Sequence, residues 1–342
     1  MSQTALYRKY RPQKFSEMVG QDHVVKVLEN SIKFGNISHA YLFAGSRGTG
    51  KTSIARIFAK AVGCSDNDLY EIDAASNNGV DEMRLLNEGV NTLPFESKYK
   101  VYILDEAHML SKSAFNALLK TLEEPPAHVI FILATTETEK LPETVVSRCQ
   151  TFSFKKPTQK ILKEVVLSRA VSEGFILDAP SAELIALLGD GSFRDTLGVL
   201  QKVLSSSPKK KITIEDIENV TGAPRGTFVN DFISAVNDGD KLSGLKAVAK
   251  AKENSVDMKV YLKLILQKLR FILILKNAKE LESQIKEELT EEDFVFTKLI
   301  AGKADSRITS ATLLEFLNVY DFIGKSYIEE LPIELALIKI TA

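Results

Sequence analysis

Residues 41–52 read Tyr-Leu-Phe-Ala-Gly-Ser-Arg-Gly-Thr-Gly-Lys-Thr, and this stretch decides the fold. Its apolar start predicts a buried strand, and the GxxxxGKT pattern that follows opens a predicted helix, as a phosphate-binding loop requires. Glycines let the backbone wrap closely around phosphate, with N–H groups pointing inward at a helix N-terminus. We expect Lys51 to reach the β- and γ-phosphates and the Thr52 hydroxyl to hold Mg²⁺. The predicted nucleotide contacts in this loop are Gly45, Ser46, Arg47, Gly48, Thr49, Gly50, Lys51, Thr52 and Ser53.

A pair of carboxylates follows about 50 residues later, where the apolar run Val101–Leu104 ends in Asp105 and Glu106. Ligands of open α/β sheets bind at the carboxyl ends of the strands. Asp105 is therefore expected in the Mg²⁺ environment, and Glu106 is expected to polarise an attacking water.

Short apolar runs alternate with amphipathic segments through this part of the chain, which predicts a parallel sheet covered on both faces. The predicted strands are 40–44, 69–73, 99–104, 129–134 and 151–154, and the predicted helices are 51–62, 79–91 and 112–122. An earlier helix is predicted at 24–34, with Asp22 as its N-cap and Gly35 just past its end.

The alternation stops after Pro157, and the following segments have helical periodicity. The turn-rich stretch Thr221-Gly222-Ala223-Pro224 predicts a domain boundary, and residues 225–342 are expected to form long amphipathic helices. Three domains follow: an α/β domain at 1–157, a small helical domain at 158–222 and a helical bundle at 223–342.

Composition excludes several classes of protein. The 342 residues are 44% hydrophobic and 26% charged, which is ordinary for a globular chain, and the net charge is −1. A strongly basic field for nucleic acid is absent, so a DNA contact would need a local patch. No apolar run is long enough to span a membrane, and the polar N-terminus resembles no signal peptide. Cys64 and Cys149 cannot make a disulfide framework, so we expect a cytoplasmic protein.

Residues 105–108 also spell DEAH, which suggests a helicase. A helicase of that type needs a second RecA-like domain with its own arginine-rich motif, and the chain after residue 157 is predicted to be helical. We therefore expect His108 to be a local structural histidine.

Together these motifs resemble the gamma/tau subunits of bacterial DNA polymerase III, which are AAA+ ATPases of the sliding-clamp loader. The resemblance is dense over residues 5–200 and is most specific in the stretch Phe-Asn-Ala-Leu-Leu-Lys-Thr-Leu-Glu-Glu-Pro-Pro at 115–126. The other matching stretches are 7–12, 19–21, 39–43, 71–76 and 147–149. The resemblance implies an AAA+ P-loop NTPase core with a parallel sheet, a helical lid and an all-α collar that holds a ring of subunits together.

The resemblance also implies roles for single residues. The residues expected to border the adenine and ribose are Tyr7, Arg11, Pro12 and Val19. Thr136 would be the first sensor, and Arg194 the second sensor, which reaches the phosphates of its own chain. Arg148 would be an arginine finger that acts on ATP bound by the neighbouring subunit. Lys120 and nearby basic residues could relay DNA contact to Glu106.

The activity implied is ATP hydrolysis within the DNA polymerase III holoenzyme, without polymerisation by this chain. ATP binding would drive opening of the β clamp, and primer-template DNA would trigger hydrolysis and release. The implied partners are delta and delta-prime subunits, further copies of the chain, the β clamp and primer-template DNA, with no membrane.

The chain departs from the family pattern at two places. The family has a four-cysteine zinc module between the first long helix and the next strand, but here Cys64 is followed by Ser-Asp-Asn-Asp and then the strand. One thiolate cannot make a tetrahedral zinc site, so we expect ATP and Mg²⁺ as ligands and no zinc. The sequence also ends at residue 342, which suggests the shorter, gamma-like form.

Two alternatives remain open on the residues alone. One is another AAA+ DNA remodeller, such as a Holliday-junction motor, which would predict an appended winged-helix domain. The other is a non-hydrolysing structural subunit of the same assembly, which would normally have a degraded phosphate loop, whereas 45–52 and Glu106 are intact here.

Overall fold

Five parallel strands form the main sheet in the computed structural model, which describes residues 4–207 and 209–341 apart from the side chain of Glu287. The strands are β1 Ala40–Ala44, β2 Leu69–Asp73, β3 Lys100–Asp105, β4 Val129–Thr135 and β5 Gln150–Ser153. Their order in the sheet is β2-β3-β4-β1-β5, and every neighbouring pair is parallel. Each strand lies within one residue of its predicted bounds. The predicted parallel sheet is confirmed, because apolar strands joined through helices can pair only in this way.

Seventeen helices occur among the described residues, and those between residues 22 and 123 pack on both faces of this sheet. The helices are α1 Leu6–Lys9, α2 Asp22–Phe34, α3 Lys51–Ala61, α4 Val80–Val90, α5 Lys112–Glu123, α6 Glu143–Val146, α7 Gln159–Ser172, α8 Ala179–Leu188, α9 Phe193–Ser206, α10 Ile214–Thr221, α11 Gly226–Asp238, α12 Lys241–Glu253, α13 Met258–Asn277, α14 Glu282–Glu288, α15 Glu291–Gly302, α16 Ser310–Asn318 and α17 Leu331–Ile340. Tyr41 and Phe43 of β1 pack with α2 and α3, while Leu42 packs with α4 and α5. Successive side chains of a strand point to opposite faces, so β1 contributes to both cores.

The predicted N-cap of α2 is wrong by one position. Gln21 is the N-cap and Asp22 is the first helical residue, with no side-chain cap bond. The Gln21 carbonyl accepts the N–H groups of Val24 and Val25. Its side chain is buried, which fixes the start of the helix. Gly35 ends α2 in the left-handed conformation, as predicted.

The chain divides into two compact units. The first comprises residues 1–162 and 189–198, and the second comprises 163–188 and 199–342. Two of the three boundaries between them fall inside α7 and α9, and the third follows the end of α8 at Leu188. Residues 189–198, which include the start of α9, therefore belong to the unit that contains the phosphate loop.

The second unit is built around α13, which is 20 residues long. Leu262, Ile265, Leu269, Phe271 and Ile272 are buried on several sides of this helix, as their spacing predicted. The helices around it are shorter than expected, since those from α11 to α17 other than α13 have 7 to 13 residues. Polar caps account for several of the breaks, because side chains accept the first free N–H groups of the next helix. Such caps are Asp240, Asp257, Thr290 and Thr309.

Two short strands after residue 157 were not predicted. β6 Ile176–Leu177 and β7 Lys211–Ile212 pair in parallel over two residues each. Strands of this length carry no alternation that a sequence pattern can reveal. Among the described residues, no helix has both the length and the apolar character needed to cross a membrane.

Candidate nucleotide-binding site

Glycines shape the loop between β1 and α3. Gly45, Gly48 and Gly50 have φ angles of +152°, +73° and +100°. A Cβ atom at Gly45 would lie 2.5 Å from the carbonyl oxygen of Phe154, and one at Gly48 would overlap the hydroxyl of Ser192. Only glycine allows the loop both these dihedral angles and these close approaches. The result is a cradle of backbone N–H groups at the start of α3, which suits a phosphate chain.

Lys51 is buried beneath this loop. Its Nζ donates to the carbonyl oxygens of Gly45 at 2.6 Å and Ser46 at 3.0 Å. Burial lowers the pKa of Lys51, while the carboxylates of Glu106 and Asp105 raise it. The ammonium group therefore lies between the loop backbone and the predicted carboxylates, where it can interact with phosphate oxygens.

The predicted Mg²⁺ ligands are brought together. Thr52 Oγ1 donates to Asp105 Oδ2 at 2.8 Å, although 53 positions separate them. β1 and β3 are not neighbours, since β4 lies between them, so the contact crosses the carboxyl ends of three strands. A hydroxyl and a carboxylate are oxygen ligands of the kind that Mg²⁺ prefers. The pair fits a magnesium ion that also binds phosphate oxygens.

Glu106 has an unusual backbone conformation. Its φ is +49°, in the left-handed region, immediately before the 3₁₀ turn Ala107–Met109. Thr136 Oγ1 donates to Glu106 Oε2 at 3.3 Å, so the predicted first sensor touches the predicted catalytic carboxylate. Non-glycine residues in this region are uncommon and often belong to functional sites.

The N-terminal segment contacts the loop helix. Arg11 Nε donates to Ser53 Oγ at 3.2 Å, and burial followed by the charge of Arg56 lowers the pKa of Arg11. Pro12 faces a neighbouring cavity of about 270 Å³, which Arg56 and Glu71 also line. Val19 is exposed and follows Met18, whose side chain packs against Gly50.

Arg194 belongs to the first turn of α9. Its guanidinium lies over the ring of Tyr7, 5.7 Å from the centroid. The adjacent Phe193 N–H donates to the carbonyl of Gly48 at 3.0 Å. The predicted second sensor and the predicted adenine contact Tyr7 thus lie together beside the phosphate loop.

Arg148 is held elsewhere on the domain. Its Nη2 is 2.7 Å from Glu123 Oε1 at the end of α5, and its Nη1 donates to the carbonyl of Thr144 at 2.7 Å. The guanidinium is one-third exposed. Lys120, one turn before Glu123, is exposed on the same helix.

Sequence reasoning gave no role to Gln21 or Thr135 and treated His108 as local structure. Gln21 Nε2 donates to the carbonyl of Lys155 at 2.7 Å and to that of Thr49 at 3.4 Å, so it ties α2 and the residue after β5 to the loop. His108 Nδ1 lies 3.1 Å from Thr135 Oγ1. The only sequence signal for the role of Gln21 was its place in the Val-Gly-Gln stretch at 19–21, which matches the family pattern.

Both cysteines are free thiols. Cys64 is buried, and its Sγ donates to the carbonyl of Ser65 at 3.4 Å. Burial raises the pKa of Cys64 and of Cys149 to about 11. Within the described ranges, no three His, Cys, Asp or Glu side chains are grouped to hold a metal ion.

The sheet order, the loop after β1 and the Asp-Glu pair after β3 define a P-loop NTPase of the AAA+ class. The chain is 39% identical over 350 residues to the DNA polymerase III subunit tau of Bacillus subtilis, covering 96% of this chain and 60% of that protein. It is 44% identical over 278 residues to the Escherichia coli subunit tau, covering 75% and 41%. The chain therefore belongs to the gamma/tau family of DNA polymerase III subunits.

Two further comparisons concern a related subunit family and the fold. The model of a family described as "DNA polymerase III, delta subunit" matches residues 20–79 and 68–158. The Holliday junction branch migration motor RuvB of Thermotoga maritima superposes with a TM-score of 0.53 at 22% identity, over 66% of this chain and 79% of that one. At this identity the likeness concerns the fold alone. The chain spans 60% of the length of the Bacillus relative and 41% of the Escherichia coli one.

Proposed function

We propose that the chain is an ATP-hydrolysing subunit of a bacterial sliding-clamp loader. The observation that carries the proposal is the contact between Thr52 and Asp105 at 2.8 Å, with Lys51 buried beneath the loop. A structural subunit would have no reason to keep this arrangement together with the Glu106 carboxylate. Membership of the gamma/tau family supports the clamp loader over other AAA+ machines.

The residues divide the work of phosphoryl transfer. Lys51 and the loop N–H groups bind the phosphates, and Thr52 and Asp105 hold Mg²⁺, which when bound offsets the phosphate charge. Glu106 orients the attacking water and accepts its proton, with Thr136 fixing one carboxylate oxygen. Arg11 and Tyr7, with Pro12 and Val19 along the same segment, border the base and ribose.

Two arginines supply positive charge from different chains. Arg194, beside Tyr7, serves the nucleotide of its own chain. Arg148 serves the nucleotide of a neighbouring subunit, which is consistent with contacts at α5 and α6 rather than with its own loop. Lys120 would relay DNA contact toward Glu106.

We assign residues 1–157 to the AAA+ core, 158–222 to a lid and 223–342 to a collar that assembles the ring. The partners are delta and delta-prime subunits, further copies of this chain, the β clamp and primer-template DNA, all in the cytoplasm. ATP binding opens and loads the clamp, and hydrolysis releases it. The chain works within the polymerase holoenzyme without polymerising DNA.

The test is hydrolysis by the full chain assembled with delta and delta-prime candidates from the same organism. We expect primed DNA together with the β clamp to stimulate ATP turnover, and Lys51→Ala to abolish the stimulation. Stimulation by four-way junction DNA but not by primed DNA would favour a Holliday-junction motor. Stoichiometric ATP binding without turnover in any assembly would favour a structural subunit.

A further inference from the structure

His108 occupies a buried position next to the proposed catalytic carboxylate. It is the middle residue of the turn Ala107–Met109, and its side chain is 7% exposed. Nδ1 lies 3.1 Å from Thr135 Oγ1, and Nε2 lies 3.4 Å from Glu137 Oε1. The ring therefore connects the turn after β3 to the residues that end β4.

Each ring nitrogen of His108 faces a polar partner, Thr135 Oγ1 for Nδ1 and the Glu137 carboxylate for Nε2. The Thr135 hydroxyl oxygen accepts the backbone N–H of Glu137 at 3.1 Å. When the hydroxyl donates its own proton to Nδ1 of His108, the imidazole carries its proton on Nε2, facing the Glu137 carboxylate. Glu137 in turn pairs with Lys140 at 2.7 Å. Both ring nitrogens then have a partner, as a buried polar side chain requires.

The same turn fixes Glu106. The Met109 N–H donates to the Glu106 carbonyl at 2.8 Å, and Glu106 Oε2 lies 3.7 Å from Nδ1 of His108. The left-handed conformation of Glu106 is one that a non-glycine residue keeps only when its surroundings hold it. The bond between His108 and Thr135 is a side-chain contact that anchors this turn to the neighbouring strand.

We propose that His108 is a positioning residue, which holds Glu106 in its left-handed conformation by fastening the following turn to Thr135. The inference rests on the proposed function, since it assumes that Glu106 orients the attacking water. His108 touches neither Lys51 nor the loop glycines in this arrangement, so its loss should slow hydrolysis and spare binding.

Steady-state ATP hydrolysis by the full chain in its stimulated assembly, with the Kd for a fluorescent ATP analogue measured in parallel, tests the inference. We expect His108→Ala to lose about 10- to 100-fold in rate, the range for a displaced catalytic group, with Kd within about twofold. His108→Asn should retain more activity, because its amide oxygen can accept the Thr135 proton near the place of Nδ1. His128→Ala is the matched control, since its Nε2 contacts the carbonyls of Val90 and Thr92 at 3.1 Å and its rate should not change.

A double variant separates positioning from general loss of structure. In the Glu106→Gln background, His108→Ala should cause no further loss, because the group through which it acts is already gone. A full additional loss there overturns the inference, as does a wild-type rate for His108→Ala or an asparagine variant as slow as alanine.

If the His108→Ala chain does not fold, a second substitution tests the same hydrogen bond. Thr135→Val removes the same hydrogen bond, and its folded form should show the same loss of rate, so a wild-type rate contradicts the inference. If Glu106→Gln itself hydrolyses normally, the proposed role of Glu106 fails instead. If Glu106→Gln is inactive while His108→Ala is active, only the present inference fails.

Discussion

Asp68→Asn should destabilise the unit that carries the phosphate loop. The Asp68 carboxylate is fully buried and accepts the N–H groups of Phe95 at 2.5 Å, Glu96 at 3.0 Å and Ser97 at 2.9 Å. Burial alone would raise the pKa of Asp68, but these donors outweigh it and lower the pKa to about 2. The carboxylate thus ties the short connection between α3 and β2, where the family resemblance would place a zinc module, to the segment between α4 and β3.

The expected loss in the free energy of unfolding follows from the acceptor oxygen that asparagine lacks. Its oxygen can replace Oδ2, which serves Glu96 and Ser97, but its NH₂ group then faces the N–H of Phe95. One buried donor without a partner costs about 1–3 kcal/mol, and the two remaining bonds lose the strength that charge gives them, about 1 kcal/mol each. The free energy of unfolding should fall by about 3–5 kcal/mol, which lowers Tm by about 6–20 °C in a domain of this size.

Urea unfolding of wild type and Asp68→Asn between pH 7 and pH 2.5 measures this difference. Because the pKa of Asp68 is lower in the folded chain than the usual unfolded value of about 3.9, its contribution is complete above that pH and declines as pH falls toward 2. The gap between the two proteins should therefore be constant above about pH 5 and shrink below pH 4.

Asp66→Asn is the matched control, since its side chain is 82% exposed and pairs loosely with Lys60 at 3.5 Å. It should change the free energy of unfolding by less than about 0.5 kcal/mol. Equal stability of Asp68→Asn and wild type at pH 7, or a gap that persists unchanged at pH 2.5, would refute the reasoning. Prolonged chelation should leave the Tm of wild type unchanged, and a drop of several degrees would show that a metal closes this connection.

Three further predictions test the site with single and paired substitutions. Lys51→Ala should weaken ATP binding about 10- to 150-fold by removing charged hydrogen bonds, whereas Glu106→Gln should bind normally and hydrolyse about 10²- to 10⁴-fold more slowly; equilibrium binding and turnover assays separate the two. An Arg148→Ala chain mixed with a Lys51→Ala chain should regain part of its hydrolysis, because the chain that binds ATP receives an intact arginine from its neighbour; absence of rescue in demonstrably mixed rings would contradict action in trans. Gly48→Ala should lower Tm and weaken ATP binding through its clash with Ser192, and Ser192→Gly in the same chain should recover part of both; thermal melts and binding titrations check this.

The sheet could be predicted closely because its central strands β1, β3 and β4 are short, largely apolar and separated by helices with clear periodicity. β1 and β2 begin and end where the pattern placed them, at 40–44 and 69–73. The contact between Thr52 and Asp105 was also within reach, since each residue follows a strand whose carboxyl end faces the same edge of the sheet. The motif and the order of the strands are together enough to predict that such residues lie close to each other.

Side-chain partners that lie far apart in sequence could not be predicted in this way. Gln21 bonds to the backbone of Lys155, 134 positions away, and Arg148 pairs with Glu123, 25 positions away. Hydrophobic periodicity says which face of an element is buried, but not which polar groups meet across it. The contact of His108 with Thr135 could not be predicted for the same reason, because it depends on the neighbouring strand.

The two threonines that end β4 give the site its central connection. Thr135 is fully buried, its carbonyl accepts the N–H of Gly45 at 3.1 Å, and its hydroxyl meets His108. Thr136 is half-buried and donates to Glu106. Because β4 lies between β1 and β3, its carboxyl end lies between the phosphate loop and the turn Ala107–Met109 that follows Glu106. Thr135 bonds to the backbone of Gly45 and to the side chain of His108, and Thr136 contacts the Glu106 carboxylate itself. We therefore expect the role that the family resemblance gave to a single sensor residue to be shared by two.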